Sequence, residues 1–277
     1  MPTCSEVSPI TVHLVGAGPG DPELLTLKAV RVLRQATVAL VDDLANPGCL
    51  AHLAADCRII PVGKRGGCAS TPQAFIERLM VNEALRGERV VRLKGGDPLV
   101  FGRAGEEIAA LRAAGLQVEV VPGITAGIAA AAAVGVSLTH RHHAPGVALI
   151  TGHRQPGNSA QRWDALAQSG LTLVIYMGVA EAPSIESGLM QGGLPSDTPV
   201  LLVQDVSSAQ ERRVATRLDA LCSTLATERF GSPCVMLIGT AMQHALQTLT
   251  PDQIQPHQAP LLLNPERPEP HPAACAA

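Results

Sequence analysis

The chain has 277 residues, 46% of them hydrophobic and 16% charged, enough for one large domain or two modest ones with separate cores. A formal net charge of −3 argues against a general electrostatic hold on nucleic acid, and aromatic residues at 2% leave almost no stacking platforms for single strands. Seven cysteines, an odd number with no CxxC pair, speak against a disulfide framework or a zinc knuckle and point to reduced thiols in a cytoplasmic protein.

In chain order, residues 1–10 (MPTCSEVSPI) read as an extension without the charged and apolar regions of a signal peptide. Short β-branched runs then alternate with helical patterns. Strands are predicted at Thr11–Val15, Thr37–Val41, Arg58–Val62, Arg89–Leu93 and Gln117–Val121, then at Val147–Ile150, Leu171–Met177, Pro199–Gln204 and Cys234–Gly239. Helices are predicted at Pro22–Gln35, Pro72–Arg86, Ala104–Ala114, Ile124–Ala133, Trp163–Ala167, Ala182–Gln191 and Leu218–Thr227. Asp21-Pro22-Glu23 and Thr71-Pro72 mark helix starts, and Gly87 and Gly115 mark helix ends. Near-continuous apolar strands alternating with helices imply an α/β protein with mostly parallel sheets covered on both faces. The polar, turn-prone Thr139–Gly146 places the domain boundary, giving an N-terminal α/β domain at 11–140 and a C-terminal one at 141–245. Residues 246–277 are Pro-rich and expected to be a disordered tail. No apolar stretch reaches membrane-spanning length, so no membrane association is expected.

Three glycine clusters follow predicted strands, where open α/β sheets bind ligands. Gly16-Ala17-Gly18-Pro19-Gly20-Asp21 departs from the dinucleotide fingerprint, because Asp21 stands where GxGxxG needs its third glycine. An acid at that helix start repels a pyrophosphate, so a ligand with positive charge or without phosphate fits better. The second cluster, in RLKGGDPLVFGRAGEE (residues 92–107), opens backbone at Gly95 and Gly96 and surrounds it with Asp97, Arg103, Glu106 and Glu107. Arg103 offers a planar fork for substrate carboxylates or pairs with Glu106 or Glu107 as a structural bridge; the sequence allows both. In the third, Pro122-Gly123-Ile124-Thr125-Ala126, small residues allow close backbone approach. Asp42 and Asp43 end the second strand, where a carboxylate can serve as a general base, and Lys64 and Arg65 follow the third, where they can bind anionic groups. His140, His142, His143 and His153 lack paired Cys or acid spacing, so a polar loop rather than a metal site is expected.

Taken together, VHLVGAGPGDPELLTLKAVRVLRQA, VGKRGG, RVVRLKGGDPLVFGRAGEE, VVPGITA and TLVIYMG resemble the signatures of the tetrapyrrole (corrin/porphyrin) methylase family, class III methyltransferases that use S-adenosyl-L-methionine. The resemblance runs from about Val12 to Met242, and LTHR (138–141), TGH (151–153) and YMG (176–178) favour the branch acting on uroporphyrinogen III. It implies two α/β domains with the cofactor in the cleft between them, a homodimer, and two methylations, at C2 and C7, giving precorrin-2 via precorrin-1. It also implies cofactor contacts at Pro19, Gly95, Gly96, Asp97, Val100, Thr125, Ala126 and Met177, with Val206 contributing backbone. Asp42 matches a proton acceptor and Lys64 a proton donor; Arg103 and Glu106 match residues that handle the tetrapyrrole. The many carboxylates of that substrate assign Lys64, Arg65, Arg103 and Arg141 to its side of the cleft. The chain departs from the family at Val41-Asp42-Asp43, where Tyr-Asp-Arg is usual, and at Gln204–Ser207. The alternatives are a sister methylase acting on a later precorrin and a non-catalytic tetrapyrrole or adenosine-ligand binding module.

Overall fold

Five short apolar runs, each returning through a crossover rather than a hairpin, dictate the first half of the molecule. In the computed structural model, which describes residues 10–63, 71–153 and 161–243, they pair as one parallel sheet of order β3-β2-β4-β1-β5. These strands are β1 (Thr11–Gly16), β2 (Val38–Val41), β3 (Arg58–Pro61), β4 (Val90–Lys94) and β5 (Gln117–Val121). Alternate side chains face opposite layers. Val15, Ala39, Val91 and Leu93 pack under α1 (Leu27–Leu33) and the 3₁₀ turn Pro47–His52, whereas Leu14, Leu40 and Val90 pack under α2 (Gln73–Leu85) and α3 (Ala104–Ala113). Because all five strands run the same way, all five C-terminal exits open on one edge.

The chain leaves that sheet through Pro122–Thr125 and forms α4 (Ala126–Ala133), whose Ala129, Ala130 and Ala131 pack on a second sheet. That sheet has the order β6-β7-β10-β8-β9, from β6 (Val147–Thr151), β7 (Thr172–Tyr176), β8 (Pro199–Gln204), β9 (Arg212–Arg217) and β10 (Cys234–Ile238). Its other face is covered by α5 (Trp163–Ala167), α6 (Ala182–Gln191) and α7 (Leu221–Thr227).

The α/β class with helices flanking both sheets holds, but a mostly parallel arrangement holds for the first sheet only. In the second, β6–β7 is parallel and β7–β10, β10–β8 and β8–β9 are antiparallel. Apolar runs report burial on both faces and not direction. Direction follows the connections, and β8 returns as β9 through residues 205–211 with no crossover helix. β9 was not predicted, because RRVATR carries the charge of a half-exposed edge strand.

Helix starts behave as read at Asp21, whose Oδ1 accepts the Glu23 N–H at 2.8 Å, and less so at Thr71, where Pro72 is the cap and no side chain bonds it. The predicted helix Pro22–Gln35 is split into a 3₁₀ turn and α1, the latter capped by Thr26. Gly87 and Gly115 end α2 and α3 at φ 86° and 76°. The N-terminal extension, Lys64, Arg65 and the C-terminal tail lie outside the described residues.

Candidate functional site

The exits of β1, β4 and β5 meet backbone to backbone. Ala17 N–H donates to Lys94 O, and Gly18 and Gly96 exchange both of their N–H···O bonds, at 3.2 and 2.7 Å. Glycine is obligatory at this junction: a Cβ on Gly123 would lie 2.3 Å from the Gly96 carbonyl oxygen, and one on Gly16 2.6 Å from Gly123 N. Asp97 locks the arrangement. Its Oδ1 accepts the Leu99 N–H at 2.8 Å and its Oδ2 the Gly123 N–H at 3.0 Å, so one carboxylate shapes its own turn and pins the next loop. Each oxygen keeps a lone pair for a ligand donor.

Beneath this loop lies a charge cluster. Arg92 and Lys94 project from one side of β4 towards Glu107 of α3, which has no solvent exposure. Glu107 accepts from Arg92 Nε at 3.1 Å, from Lys94 Nζ at 3.1 and 3.0 Å, and from Gln73 Nε2 at 3.3 Å. Burial, reinforced by the Arg92 charge, holds the Lys94 ammonium below its ordinary value. Arg92 Nη2 lies 3.6 Å from Asp42 Oδ2 at the surface of the same cluster, so the predicted base is oriented by a buried cation. Sequence reasoning missed Arg92 and Lys94. Their signal was two cations spaced by two inside a strand otherwise read as apolar, which demands a buried acid.

The neighbouring glutamates diverge. Glu106 faces solvent and binds Arg103 through Nε and Nη2 at 2.9 and 2.6 Å, leaving both side chains about half exposed. The Arg103 bonds hold the Glu106 carboxyl below its usual range. Arg103 is therefore bridged to Glu106 and not to Glu107.

The second sheet supplies the facing wall. Tyr176 ends β7, and its hydroxyl meets Thr125 Oγ1 at 2.8 Å and accepts the Gly127 N–H at 2.9 Å. Burial raises the Tyr176 phenol, so it stays protonated across the working range. Its ring lies 5.0 Å from Phe101 of the first lobe. Met177 follows, 50% exposed, and Val206 is buried with its carbonyl so close that a Cβ on Gly20 would lie 2.5 Å from it. Asn46 Nδ2 holds the Gly20 carbonyl from the opposite side at 2.6 Å. Five non-glycine residues around these exits, Phe101, Arg103, Met177, Asp205 and Ser207, have φ between 50° and 58°. Such strain persists only where surroundings enforce it, and it gathers at ligand sites.

The structure thus brings together the glycine exits carrying Pro19, Gly95, Gly96 and Asp97 with Thr125, Ala126 and Val206; Val100 bonds back to Asp97 O at 3.2 Å. Arg141 stays exposed on the turn closed by His140 and Ala144 and makes no hydrogen bond or ion pair with any described residue. Of the three neighbouring histidines, His140 and His143 stack with ring centroids 4.5 Å apart, and His142 lies tilted to His140 and edge-on to His143.

A sulfonium donor with an adenosine moiety fits these residues. Asp21 already occupies the N–H that a phosphate would take, and the exits present bare backbone and an acid rather than cations.

Comparison with known proteins matches residues 11–222 to the family described as Tetrapyrrole (Corrin/Porphyrin) Methylases. A uroporphyrinogen-III C-methyltransferase of Pseudomonas aeruginosa is 51% identical over 82% of this chain and 92% of its own length. A uroporphyrin-III C-methyltransferase of Thermus thermophilus, solved with S-adenosyl homocysteine, is 39% identical with a TM-score of 0.71, covering 84% of this chain and 99% of its own. A cobalt precorrin-4 methyltransferase is 26% identical with a TM-score of 0.76, covering 84% of this chain and 96% of its own.

Proposed function

Because the chain belongs to the tetrapyrrole (corrin/porphyrin) methylases, we propose that it moves methyl groups from S-adenosyl-L-methionine to C2 and C7 of uroporphyrinogen III, giving precorrin-2 by way of precorrin-1 and leaving S-adenosyl-L-homocysteine. The observation that carries this reading is the junction of Gly16, Gly96 and Gly123 clamped by Asp97, a bare-backbone cradle with an acid at its edge. Backbone similarity alone does not separate this substrate from a later precorrin, since the precorrin-4 enzyme superposes as well; identity of 51% against 26% does.

The donor supplies an electrophilic methyl on a positively charged sulfur. The chain's part is positioning, which contributes about 7–11 kcal/mol in favourable cases. Pro19, Gly95, Gly96, Val100, Thr125, Ala126, Met177 and Val206 form the walls, and Asp97 accepts hydrogen bonds with its remaining lone pairs. Tyr176, by tying Thr125 and Gly127 to the second lobe, fixes the distance between walls. Asp42, oriented by Arg92, takes the proton that leaves the macrocycle. Arg103 exchanges Glu106 for a substrate carboxylate, and Lys64, Arg65 and Arg141 meet further carboxylates. The enzyme works in the cytoplasm as a homodimer.

The test is incubation of purified protein with isotopically labelled donor and, in separate reactions, uroporphyrinogen III or a later precorrin. A product heavier by two labelled methyl groups is expected. Labelling only of a later precorrin supports a sister methylase, and tight donor binding with no transfer supports a binding module; either overturns the proposal.

A further inference from the structure

The turn between β8 and β9 is organised by a carboxylate that no step above uses. Glu211 is 3% exposed. Its Oε2 accepts the Ser207 N–H at 2.5 Å, and its Oε1 accepts from Arg213 Nε at 2.5 Å and pairs with Nη2 of the same guanidinium. Arg213 then reaches back across the second lobe, donating from Nη1 to Ala133 O at 2.6 Å. Ala133 is the last residue of α4, whose first turn carries Gly127 and follows Thr125.

One ion pair, its carboxylate buried and its guanidinium partly exposed, therefore holds two separate pieces of wall. The first is the Asp205–Ser207 backbone, with φ of 50° at Asp205 and 58° at Ser207, where the Val206 carbonyl abuts Gly20 of the other lobe. The second is the far end of the helix that presents Thr125 and Ala126. Left-handed residues either side of Val206 need a fixed partner to stay there, and Glu211 gives Ser207 one. A carboxylate this buried in turn depends on its cation.

We propose that Glu211 and Arg213 are positioning residues of the methyl-donor site, setting the Val206 wall and α4 without touching the donor. The proposal rests on the function proposed above. Its signature is a split. Of the groups assigned to the macrocycle, Asp42 and Arg103 stand on first-lobe elements with their own ion pairs, and Arg141 stands on the His140–Ala144 turn, to which Arg213 makes no hydrogen bond, so donor affinity falls while the tetrapyrrole KM does not.

The experiment compares full-length wild-type protein with Glu211→Gln, which keeps an acceptor for Ser207 but loses the charge facing Arg213, and with Arg213→Met. S-adenosylhomocysteine titration calorimetry, the KM for uroporphyrinogen III and thermal melting are recorded for each. The expected result is a Kd about tenfold weaker in both variants, about 1.4 kcal/mol. KM stays within about twofold, and Arg213→Lys recovers most of the affinity. If Arg213→Met does not fold, Glu211→Gln and Arg213→Lys decide. Wild-type affinity in folded variants, or Kd and KM rising together with the fall in melting temperature, overturns the proposal. A wild-type protein that ignores S-adenosylhomocysteine sinks the function instead.

Discussion

The two lobes face each other with opposite solutions to one problem, how to hold irregular backbone open at strand ends. Where β1, β4 and β5 meet, the first uses glycine, with Gly18 and Gly96 at φ 76° and 65°; its positive-φ side chains, Phe101 and Arg103, stand further along the β4 loop, and its charge lies underneath, in the Arg92–Glu107–Lys94 cluster. The second forces Met177, Asp205 and Ser207 into the same region of backbone space and uses an ion pair and a tyrosine hydroxyl as braces. Glycine yields close approach at no steric penalty but no stiffness of its own, so stiffness comes from Asp97 and the buried charges. Side chains at positive φ are stiff but strained, so their braces must be intact. The difference lies in how each lobe holds its strand exits, with glycine over buried charge in the first and braced side chains in the second.

Four substitutions break or sharpen that contrast. Glu107→Ala strands two buried cations and is expected to lower stability by about 3–5 kcal/mol, measured by urea unfolding; a change below about 1 kcal/mol would mean the cluster is not the first lobe's support. Gly123→Ala forces a Cβ onto the Gly96 carbonyl and is expected to lose about 1–3 kcal/mol together with most donor affinity, read by calorimetry. Tyr176→Phe removes the brace from Thr125 and Gly127, with an expected loss of about 1 kcal/mol. Its donor affinity should fall more than the affinity for the macrocycle. Arg103→Ala breaks an exposed pair and should change stability by less than about 1 kcal/mol. It should nevertheless abolish turnover while sparing donor binding; full activity would remove Arg103 from the substrate side.

A fifth effect is the smallest. Burial pushes the Cys49 thiol up to about 11 and Cys234 up to about 12. Both are raised, so below pH 9 almost no thiolate forms in the folded state, and native alkylation followed by peptide mapping should leave these two unmodified while the unfolded chain reacts. Rapid native modification of either would contradict their burial.

Much of the first lobe was legible. Strand ends and helix ends at Gly87 and Gly115 fell within a residue or two, because β-branched runs and glycine caps act locally. That glycine clusters follow β1, β4 and β5 was legible for the same reason. The reversed direction of β10 was not, and β9 was not read as a strand, since pairing is set by connections and not by the apolar run. The role of Arg92 and Lys94 was hidden because their partner, Glu107, is reached only once α3 packs on β4. Asp97 was read as a ligand contact from its place in a glycine loop; its bond to Gly123, 26 residues away, exists only in the folded chain. Arg103 was left open by its sequence between a substrate carboxylate, Glu106 and Glu107; in the fold Glu107 is buried against Arg92 and Lys94, and Arg103 pairs with the exposed Glu106.

The central claim is that the donor lies in the seam between the lobes, gripped by the glycine exits on one side and the strained second-lobe turns on the other. A crystal structure of the full chain with S-adenosylhomocysteine tests it most directly. The account expects adenosine and sulfur against Gly96, Thr125, Met177 and Val206, with Asp97 in hydrogen-bonding range. The ligand bound anywhere else, or that seam empty at saturating concentration, would contradict it.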